Sequence, residues 1–251
     1  MDKSNKGLNL ILTLVPLIAL IVIWAVCSAL INNQFILPSL GQTFSALIEL
    51  LTEKSFYIAF LSTFLRSLIS FSISFVLALV LAFITHKSKT AEKIVAPIIS
   101  IMRSLPTIAI ALLLLFWVNS YIAPIIVTML VVFPTVYTMA KTAFDGVDRE
   151  VLEMSAICGA NKFQTFKQVI VPCVMPEILV IIGSSLSLNL KLMVAAEVLS
   201  STANSIGLML NTSKVYFEIA PMLALIIICV ISGLIIELIF NAISKKVGDW
   251  K

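Results

Sequence analysis

Residues 58–84 read IAFLSTFLRSLISFSISFVLALVLAFI, an apolar run in which Arg66 is the one charged side chain. A helix needs about 20 apolar residues to cross a hydrocarbon core about 30 Å thick, and this run is longer. A backbone that crosses lipid must satisfy its hydrogen bonds internally, and the run is apolar on every face instead of alternating like a barrel strand. The run therefore predicts a membrane-spanning α-helix.

Five further runs have the same character, so the sequence predicts an all-α integral membrane protein with six transmembrane helices. The predicted spans are 8–31, 58–84, 94–118, 121–142, 178–199 and 219–243. The composition agrees, because only 12% of the residues are charged, whereas a soluble domain has about 25%. The first run exceeds the apolar stretch of about 7–15 residues in a cleaved signal peptide. We therefore expect it to remain as the first span.

Lysine and arginine are distributed unevenly between the two sides of this six-span chain. One side holds Lys3, Lys6, Lys87, Lys89, Lys93, Lys141, Arg149, Lys162, Lys167, Lys245, Lys246 and Lys251. The loops of the other side hold Lys54 and Lys214. Because loops rich in Lys and Arg stay in the cytoplasm, both termini are predicted to be cytoplasmic. The expected location is a bacterial cytoplasmic membrane, which the chain crosses several times.

Two loops are long enough to carry structure of their own. The outer segment 32–57 contains an amphipathic stretch, 42–51, expected to lie along the membrane surface, and with the first span it forms an N-terminal segment 1–57. Residues 58–251 are predicted to form a five-helix core, whose cytoplasmic loop 143–177 is the sizeable polar segment on the inner side. No second domain is predicted.

The loop 143–177 has the signals of two short helices separated by a glycine. Residues 148–159, DREVLEMSAICG, place Asp148 where a helix wants an N-cap and Gly159 where a helix ends in a left-handed residue. Asn161 is predicted to cap a second helix, and Pro172 is predicted to end it. The loop is therefore expected to be a helix–glycine–helix element.

Three apolar residues of the second helix, Phe163, Phe166 and Ile170, repeat at helical spacing. They predict an exposed apolar stripe, which usually marks a docking surface for another protein. The same loop could instead lie on the inner leaflet with its lysines near anionic lipid. The loop alone leaves these two interpretations open.

The loop also resembles the Glu-Ala-Ala-x3-Gly-x9-Ile-x-Leu-Pro (EAA) loop of binding-protein-dependent importer permeases. The residues at matching spacing are Glu153, Gly159, Val169, Val171 and Pro172, with Met154 and Ser155 in place of the two alanines. In that family the loop forms a coupling helix seated in a groove of an ATPase subunit. The resemblance implies that ATPase coupling rests on Glu153, Ala156, Gly159, Ala160, Phe163, Phe166, Val169 and Pro172.

Other segments place the chain close to the nitrate, sulfonate and taurine branch of these permeases. They are 65–71, Arg103 with Leu105-Pro106, Leu115-Phe116-Trp117, Phe133-Pro134, Ala196-Glu197-Val198-Leu199 and Asn204-Ser205-Ile206-Gly207. The resemblance implies the type I ABC importer transmembrane fold (MetI-like) and a homodimer in the lipid bilayer. It also implies two ATP-binding-cassette ATPase subunits and an extracytoplasmic substrate-binding protein. The expected solute is small and anionic or zwitterionic, and the branch leaves its identity open.

Several ionisable residues fall within the predicted spans, where they usually face protein or water. Arg103, Pro106, Lys191 and Glu197 are candidates for the translocation path, in which a cation would attract an anionic solute. The alternatives are that Arg66 snorkels to the interface, that Lys191 pairs with an acid, and that Glu197 is structural. Prolines in these spans fit either a moving gate or ordinary kinked packing.

The sequence contains no enzyme signature. Residues 159–162 lack the second glycine and the hydroxyl of a phosphate loop, so ATP and Mg are expected on the partner ATPase and no cofactor on this chain. The four cysteines have no metal-ligand spacing, so no metal site is predicted. No nucleic-acid partner is expected. A secondary transporter, which would be expected to show inverted repeats, and a membrane scaffold subunit remain as alternatives.

Overall fold

The computed structural model describes the backbone of residues 3–248 and, within that range, all side chains except those of 3–14, 17, 149 and 156. The described chain is helical and contains no strand, as predicted. Its helices are α1 (Lys3–Ile31), α2 (Leu40–Thr52), α3 (Lys54–Lys87), α4 (Lys89–Ser104), α5 (Thr107–Trp117), α6 (Ala123–Asp145), α7 (Arg149–Ile157), α8 (Lys162–Thr165), α9 (Val171–Ser200), α10 (Ile206–Val215) and α11 (Ile219–Gly248). A π-helical turn, Phe166–Ile170, joins α8 to α9.

Four helical segments of the described chain are individually long and apolar enough to cross a membrane. They are Lys54–Lys87, Ala123–Asp145, Lys162–Ser200 and Ile219–Gly248. They contain the second, fifth and sixth predicted spans and all but the first two residues of the fourth. The first predicted span lies in α1, whose apolar part with described side chains is Ile18–Ile31. The all-α membrane class is therefore confirmed, whereas the count of six spans stays a prediction.

The third predicted span, 94–118, is two helices instead of one. Helices α4 and α5 meet at an angle of 90°. Leu105, at the C-cap of α4, is extended with φ −68° and ψ 131°, because the ring of a following proline disfavours the helical conformation of the residue before it. Pro106 then begins α5 without needing a backbone N–H there. The interruption that the prolines of this span predict is therefore present as a sharp bend, and Pro106 is its physical reason.

Contacts divide the chain into two units, of which the first is Met1–Tyr57 with Met209–Ile227. In this unit the Trp24 Nε1–H donates to the carbonyl oxygen of Pro38 at 3.0 Å, which ties the segment after α1 back to that helix. Helix α2 begins with a capping box between Ser39 and Gln42. It leaves Phe44 and Ile48 exposed, so the predicted amphipathic helix is present, and its position on the membrane surface stays a prediction.

The second unit, Ile58–Leu208 with Ile228–Lys251, holds the helical bundle. Helices α6 and α9 share its most extensive helix–helix contact, and small polar residues are buried between the helices. The Asn189 side-chain amide donates to the carbonyl oxygen of Ser67 at 2.7 Å and to its hydroxyl at 2.9 Å. Small residues let membrane helices approach closely, and such hydrogen bonds contribute about 0.6 kcal/mol each. The bundle therefore combines close packing with interhelical hydrogen bonds.

Candidate functional site

The loop after α6 begins with the predicted helix α7. Its first turn is capped by Asp148, whose side-chain Oδ1 accepts from the Glu150 N–H at 3.0 Å. After its last turn Gly159 has φ +75°, a left-handed conformation that glycine adopts without a Cβ clash. The Ala160 N–H donates back to the carbonyl oxygen of Ser155 at 3.1 Å, which closes the helix end. The predicted start and end signals of α7 are confirmed.

A second cap follows directly. The Asn161 side chain accepts from the Gln164 N–H, and the Gln164 side chain accepts from the Asn161 N–H, each at 2.9 Å, forming a capping box. The Ser155 and Thr165 hydroxyls lie 2.9 Å apart and connect α7 to the second helix. The element is thus held together by backbone caps and one side-chain bridge. The helix–glycine–helix geometry predicted from the sequence is confirmed.

Pro172 does not end the second helix, which corrects the sequence prediction. The helical segment runs without interruption from Lys162 to Ser200, a length of 39 residues. The π turn Phe166–Ile170 directly precedes α9, and Pro172 is the second residue of that helix. There the missing proline N–H is tolerated, and a π turn changes the local hydrogen-bond register. The loop is therefore continuous with a membrane-spanning helix.

The predicted apolar stripe is divided between the bundle and the surface. Phe166 packs on Phe83 of α3 with ring centroids 4.9 Å apart, and Ile170 is 8% exposed in the hydrophobic core. Only Phe163 remains outside, with 71% of its surface exposed. The prediction of a fully exposed stripe is wrong, because two of its residues attach the loop to the bundle.

Exposed apolar side chains do occur in the loop, mostly on α7, where the sequence analysis missed them. Val151, Met154 and Ile157 are 38%, 64% and 85% exposed. With Phe163 we call them the exposed apolar residues of the loop. Their spacing of three residues along α7 was the sequence signal from which they could have been predicted. Exposed apolar groups on a rigid element mark an interaction site more strongly than single exposed residues do.

The predicted coupling residues occupy several environments. Glu153 and Gly159 are exposed, whereas Ala160, Val169 and Pro172 are half-buried. The side chain of Ala156 lies outside the described residues. The structure therefore gives the predicted residues positions in one element, and their role in coupling stays a prediction.

The predicted basic side of the bundle has its own polar cluster. His86 at the end of α3 lies 2.7 Å from Asp145 at the end of α6. The Lys141 ammonium lies 2.9 Å from Glu92 of α4 and 2.6 Å from Asp145. These contacts bring the ends of three helices together at the point where the loop begins. The side chains of Lys3, Lys6 and Arg149, and the whole of Lys251, lie outside the described residues.

The opposite end of the bundle contains a buried carboxylate. The Glu197 side chain is 0% exposed and forms an ion pair with Arg66 of α3. The Thr63 hydroxyl donates to Glu197 at 2.8 Å, and the Gly207 N–H donates at 3.4 Å. A Cβ atom on Gly207 would lie 2.3 Å from the Glu197 Cβ, so only glycine fits this approach. We call these four residues the Glu197 cluster.

Arg66 also joins the cluster to the segment between α9 and α10. Its guanidinium donates to the carbonyl oxygens of Ala203 at 3.3 Å and Asn204 at 3.1 Å. Arg66 is therefore paired within the chain, and its snorkelling to an interface stays a prediction. Both carboxylate oxygens of Glu197 also have partners within the chain: Oε1 pairs with Arg66, and Oε2 accepts from Thr63 and Gly207. The structural interpretation of Glu197 fits this geometry, and its predicted place in the path is still a prediction.

The other three path candidates lie on the surface of the chain. Arg103 and Pro106 are exposed near the α4–α5 bend, and Lys191 is exposed on α9. Arg103 lines a cavity of about 320 Å³ together with Glu92, Ala96, Ile99, Ser100, Tyr137 and Lys141. Lys191 is not part of that cavity lining. The structure therefore does not bring the two candidate cations into one site.

These features define the chain as a helical membrane protein with a structured loop at one end of its bundle. Residues 74–249 match the family described as binding-protein-dependent transport system inner membrane component. Because the match covers more than half of the sequence, the chain belongs to this family. It is accordingly a multi-pass protein of the cytoplasmic membrane.

Curated relatives include two permeases for sulfur compounds. The putative aliphatic sulfonates transport permease protein SsuC of Bacillus subtilis (strain 168) is 25% identical over 165 residues, which cover 65% of this chain and 59% of SsuC. The taurine transport system permease protein TauC of Escherichia coli (strain K12) is 26% identical over 164 residues, with the same two coverages. The chain thus spans 59% of the length of each relative.

Solved structures show the same fold. A crystal structure of a bacterial ABC transporter involved in the import of the acidic polysaccharide alginate aligns with a TM-score of 0.66 at 19% identity, covering 98% of this chain and 100% of that one. An inward-facing structure of the MetNI methionine ABC transporter aligns with a TM-score of 0.62 at 17% identity, covering 74% and 93%. The chain therefore has an ABC importer membrane-subunit fold.

Proposed function

We propose that the chain is the permease subunit of an ATP-driven importer for a small anionic or zwitterionic solute. Two copies would form the translocation path, two ATPase subunits would dock on the loop 143–177, and an extracytoplasmic binding protein would deliver the solute. The subunit would be non-catalytic, with ATP and Mg on the ATPases and no cofactor of its own. The exposed apolar residues of the loop carry this proposal, and family membership supports it.

The proposed orientation places the loop in the cytoplasm, where ATP is available. In the second unit, the ends of α3 and α6 and the start of α4 meet at the lysine-rich side. The loop leaves the bundle from this same side, and loops rich in lysine stay cytoplasmic. Both termini would then be cytoplasmic as well.

The caps and packing contacts of the loop support a role in force transmission. Its two helices are capped at Asp148, Gly159 and Asn161, and Phe166 attaches it to α3. The uninterrupted segment Lys162–Ser200 then leads from the loop to the Glu197 cluster at the other end of the bundle. A displacement of the loop by an ATPase would therefore reach α9 through continuous helical backbone.

This connection fits an alternating-access mechanism. ATP would close the ATPase pair, the two loops would move together, and the path would open outward to accept the solute. Such a cycle needs two states of the dimer that the nucleotide-bound and nucleotide-free ATPases favour differently. The relatives named for aliphatic sulfonates and taurine support a small solute with a sulfonate group.

Purification of the tagged chain with its partners tests the proposal. Ile157→Asp places a charge on the most exposed apolar residue of the loop and should remove a phosphate-loop ATPase from the purified complex. Gln168→Asp is the matched control, because it adds the same charge at an exposed polar position of the same loop and should retain the ATPase. Solute transport by the chain alone, without ATP, would instead establish a secondary transporter. A complex without any ATPase would favour a scaffold subunit.

A further inference from the structure

Lys191 is an ionisable residue close to the middle of a membrane-spanning helix. It lies nine residues before the end of α9 at Ser200, a distance of about 14 Å at 1.5 Å per residue. The hydrocarbon core is about 30 Å thick, so this position is near its centre. From residue 178 to residue 196 no other charged residue occurs in the sequence.

The Lys191 side chain lies against the middle of α11. Its Cε lies 3.4 Å from the point that a Cβ on Gly233 would occupy, and Gly233 is in the middle of α11 (Ile219–Gly248). The Ser187 Oγ, one turn earlier in α9, lies 2.8 Å from the same point. A snorkelling lysine would extend toward an interface. The Lys191 side chain is instead directed to the middle of α11.

Lys191 has no ion-pair partner among the described residues, and Glu237 lies one helical turn beyond Gly233 in α11. No carboxylate with a described position lies within ion-pair distance of its ammonium, and the residue is exposed at the surface of the chain. An ionised lysine facing lipid at this depth costs at least about 2.5–3.5 kcal/mol, so such residues face water or protein. The side of α9 that carries Lys191 therefore borders a second protein surface or an aqueous path.

A second polar group lies beside it. The Ser187 hydroxyl is buried and has no hydrogen-bond partner in the described chain. Buried hydroxyls without a partner are rare, because each loses its bonds to water. Because Gly233 has no side chain, it leaves space for the side chains of Ser187 and Lys191. An ammonium and a hydroxyl at one point are a donor pair suited to an oxyanion.

We propose that Lys191 and Ser187, meeting over Gly233, form an anion-binding position inside the translocation path, which takes the sulfonate or carboxylate group of the solute. This inference rests on the proposed function and adds its chemical selectivity. The partly or fully exposed residues on the side of α9 that faces the path are spaced by three and four, and the buried Ser187 lies at the edge of this side, against α11. These partly or fully exposed residues are Val180, Ser184, Leu188, Lys191, Ala195 and Leu199.

The test measures the electrostatic potential beside Lys191 with charged thiol reagents in membranes that contain the complete complex. The native cysteines are replaced first; they are Cys27, Cys158, Cys173 and Cys229. A single probe is then introduced as Ser184→Cys, two helical turns before Lys191 on the same side of α9. The reagents are a (2-sulfonatoethyl) and a (2-trimethylammonioethyl) methanethiosulfonate, of which the first carries an alkyl sulfonate.

The expected result is a faster reaction with the anionic reagent, and a dependence of that preference on Lys191. A unit charge about 10 Å away in water changes each rate about twofold, so Lys191→Met should lower the anion-to-cation rate ratio at least about fourfold. Lys191→Arg should preserve the ratio. Leu234→Cys on α11, next to Gly233 and exposed among apolar residues, should react with neither reagent.

Two results would overturn the inference. One is a rate ratio that Lys191→Met leaves unchanged, since the lysine would then not set the potential. The other is a Ser184→Cys probe that reacts no faster than Leu234→Cys, since α9 would then border lipid. Failure of the proposed function is a separate observation, because it would appear as the absence of an ATPase from the purified complex.

Discussion

Replacement of Arg66 is expected to be among the most destabilising substitutions in the helical bundle. Arg66→Met leaves the Glu197 carboxylate, which is 0% exposed, without its cation. Removing one partner of a buried ion pair costs about 3–5 kcal/mol, because the remaining charge stays buried and uncompensated. The Thr63 and Gly207 hydrogen bonds remain, but neither partner carries a charge that neutralises the carboxylate.

The complementary change should cost less. In Glu197→Gln the Arg66 guanidinium keeps its hydrogen bonds to the carbonyl oxygens of Ala203 and Asn204, and its side chain is 12% exposed to solvent. We expect a loss of about 1–3 kcal/mol, the usual effect of leaving one buried polar group unsatisfied. The loss measured for the double variant should be smaller than the sum of the two single losses by about 0.5–3 kcal/mol, because both substitutions remove the same ion pair.

The assay is reversible unfolding in dodecylmaltoside micelles titrated with SDS, followed by circular dichroism. Arg103→Met is the matched control, since Arg103 is exposed and forms no ion pair in the described part of the chain. It should change the free energy of unfolding by less than about 0.5 kcal/mol. Equal losses for the two single variants, or full additivity in the double variant, would refute the argument.

Three further predictions use the same positions. Gly159→Val forces a β-branched residue to φ +75°, which costs about 1–2 kcal/mol. The variant should hydrolyse ATP without importing solute when both rates are measured, whereas Gly159→Asn should keep the two coupled. Normal uptake by the valine variant would contradict the role of the loop. Gly207→Ala meets the Glu197 backbone at 2.6 Å and should lower the yield of folded protein in gel filtration, whereas Gly41→Ala, with 4.0 Å of room, should not. Lys141→Met should cost about 0.2–1 kcal/mol in low salt and less in 1 M salt, because its ion pairs are partly exposed; a loss independent of salt would contradict this.

Local rules explain why much of the loop could be predicted. Asp148, Gly159 and Asn161 act on backbone groups within a few residues of themselves, so their sequence positions determine the caps. The long apolar runs are equally local signals of membrane helices. The family resemblance came from the same residues. Most predictions that depend on nearby residues are therefore confirmed, and the end of the second helix at Pro172 is the exception.

The wrong or missed predictions concern contacts between residues that are distant in the sequence, or changes in helix direction and hydrogen-bond register that hydropathy does not report. Phe166 is covered by Phe83, from a different helix. Arg66 pairs with a residue 131 positions away. The 90° bend before Pro106 leaves the hydropathy of the run unchanged, and the π turn before Pro172 has no reliable sequence signal. Tertiary packing decided the first two features, whereas the bend and the π turn are backbone features that hydropathy does not report.

The most direct test of the account is site-specific photo-crosslinking from the loop in native membranes. A benzophenone amino acid replaces Ile157, which is 85% exposed, and the crosslinked protein is identified by mass spectrometry. The account predicts a single product that contains a phosphate-loop ATPase, and no such product when the same group replaces Trp117, which is 74% exposed on a membrane helix. Crosslinks to lipid alone from position 157 would contradict the claim that the loop seats an ATPase.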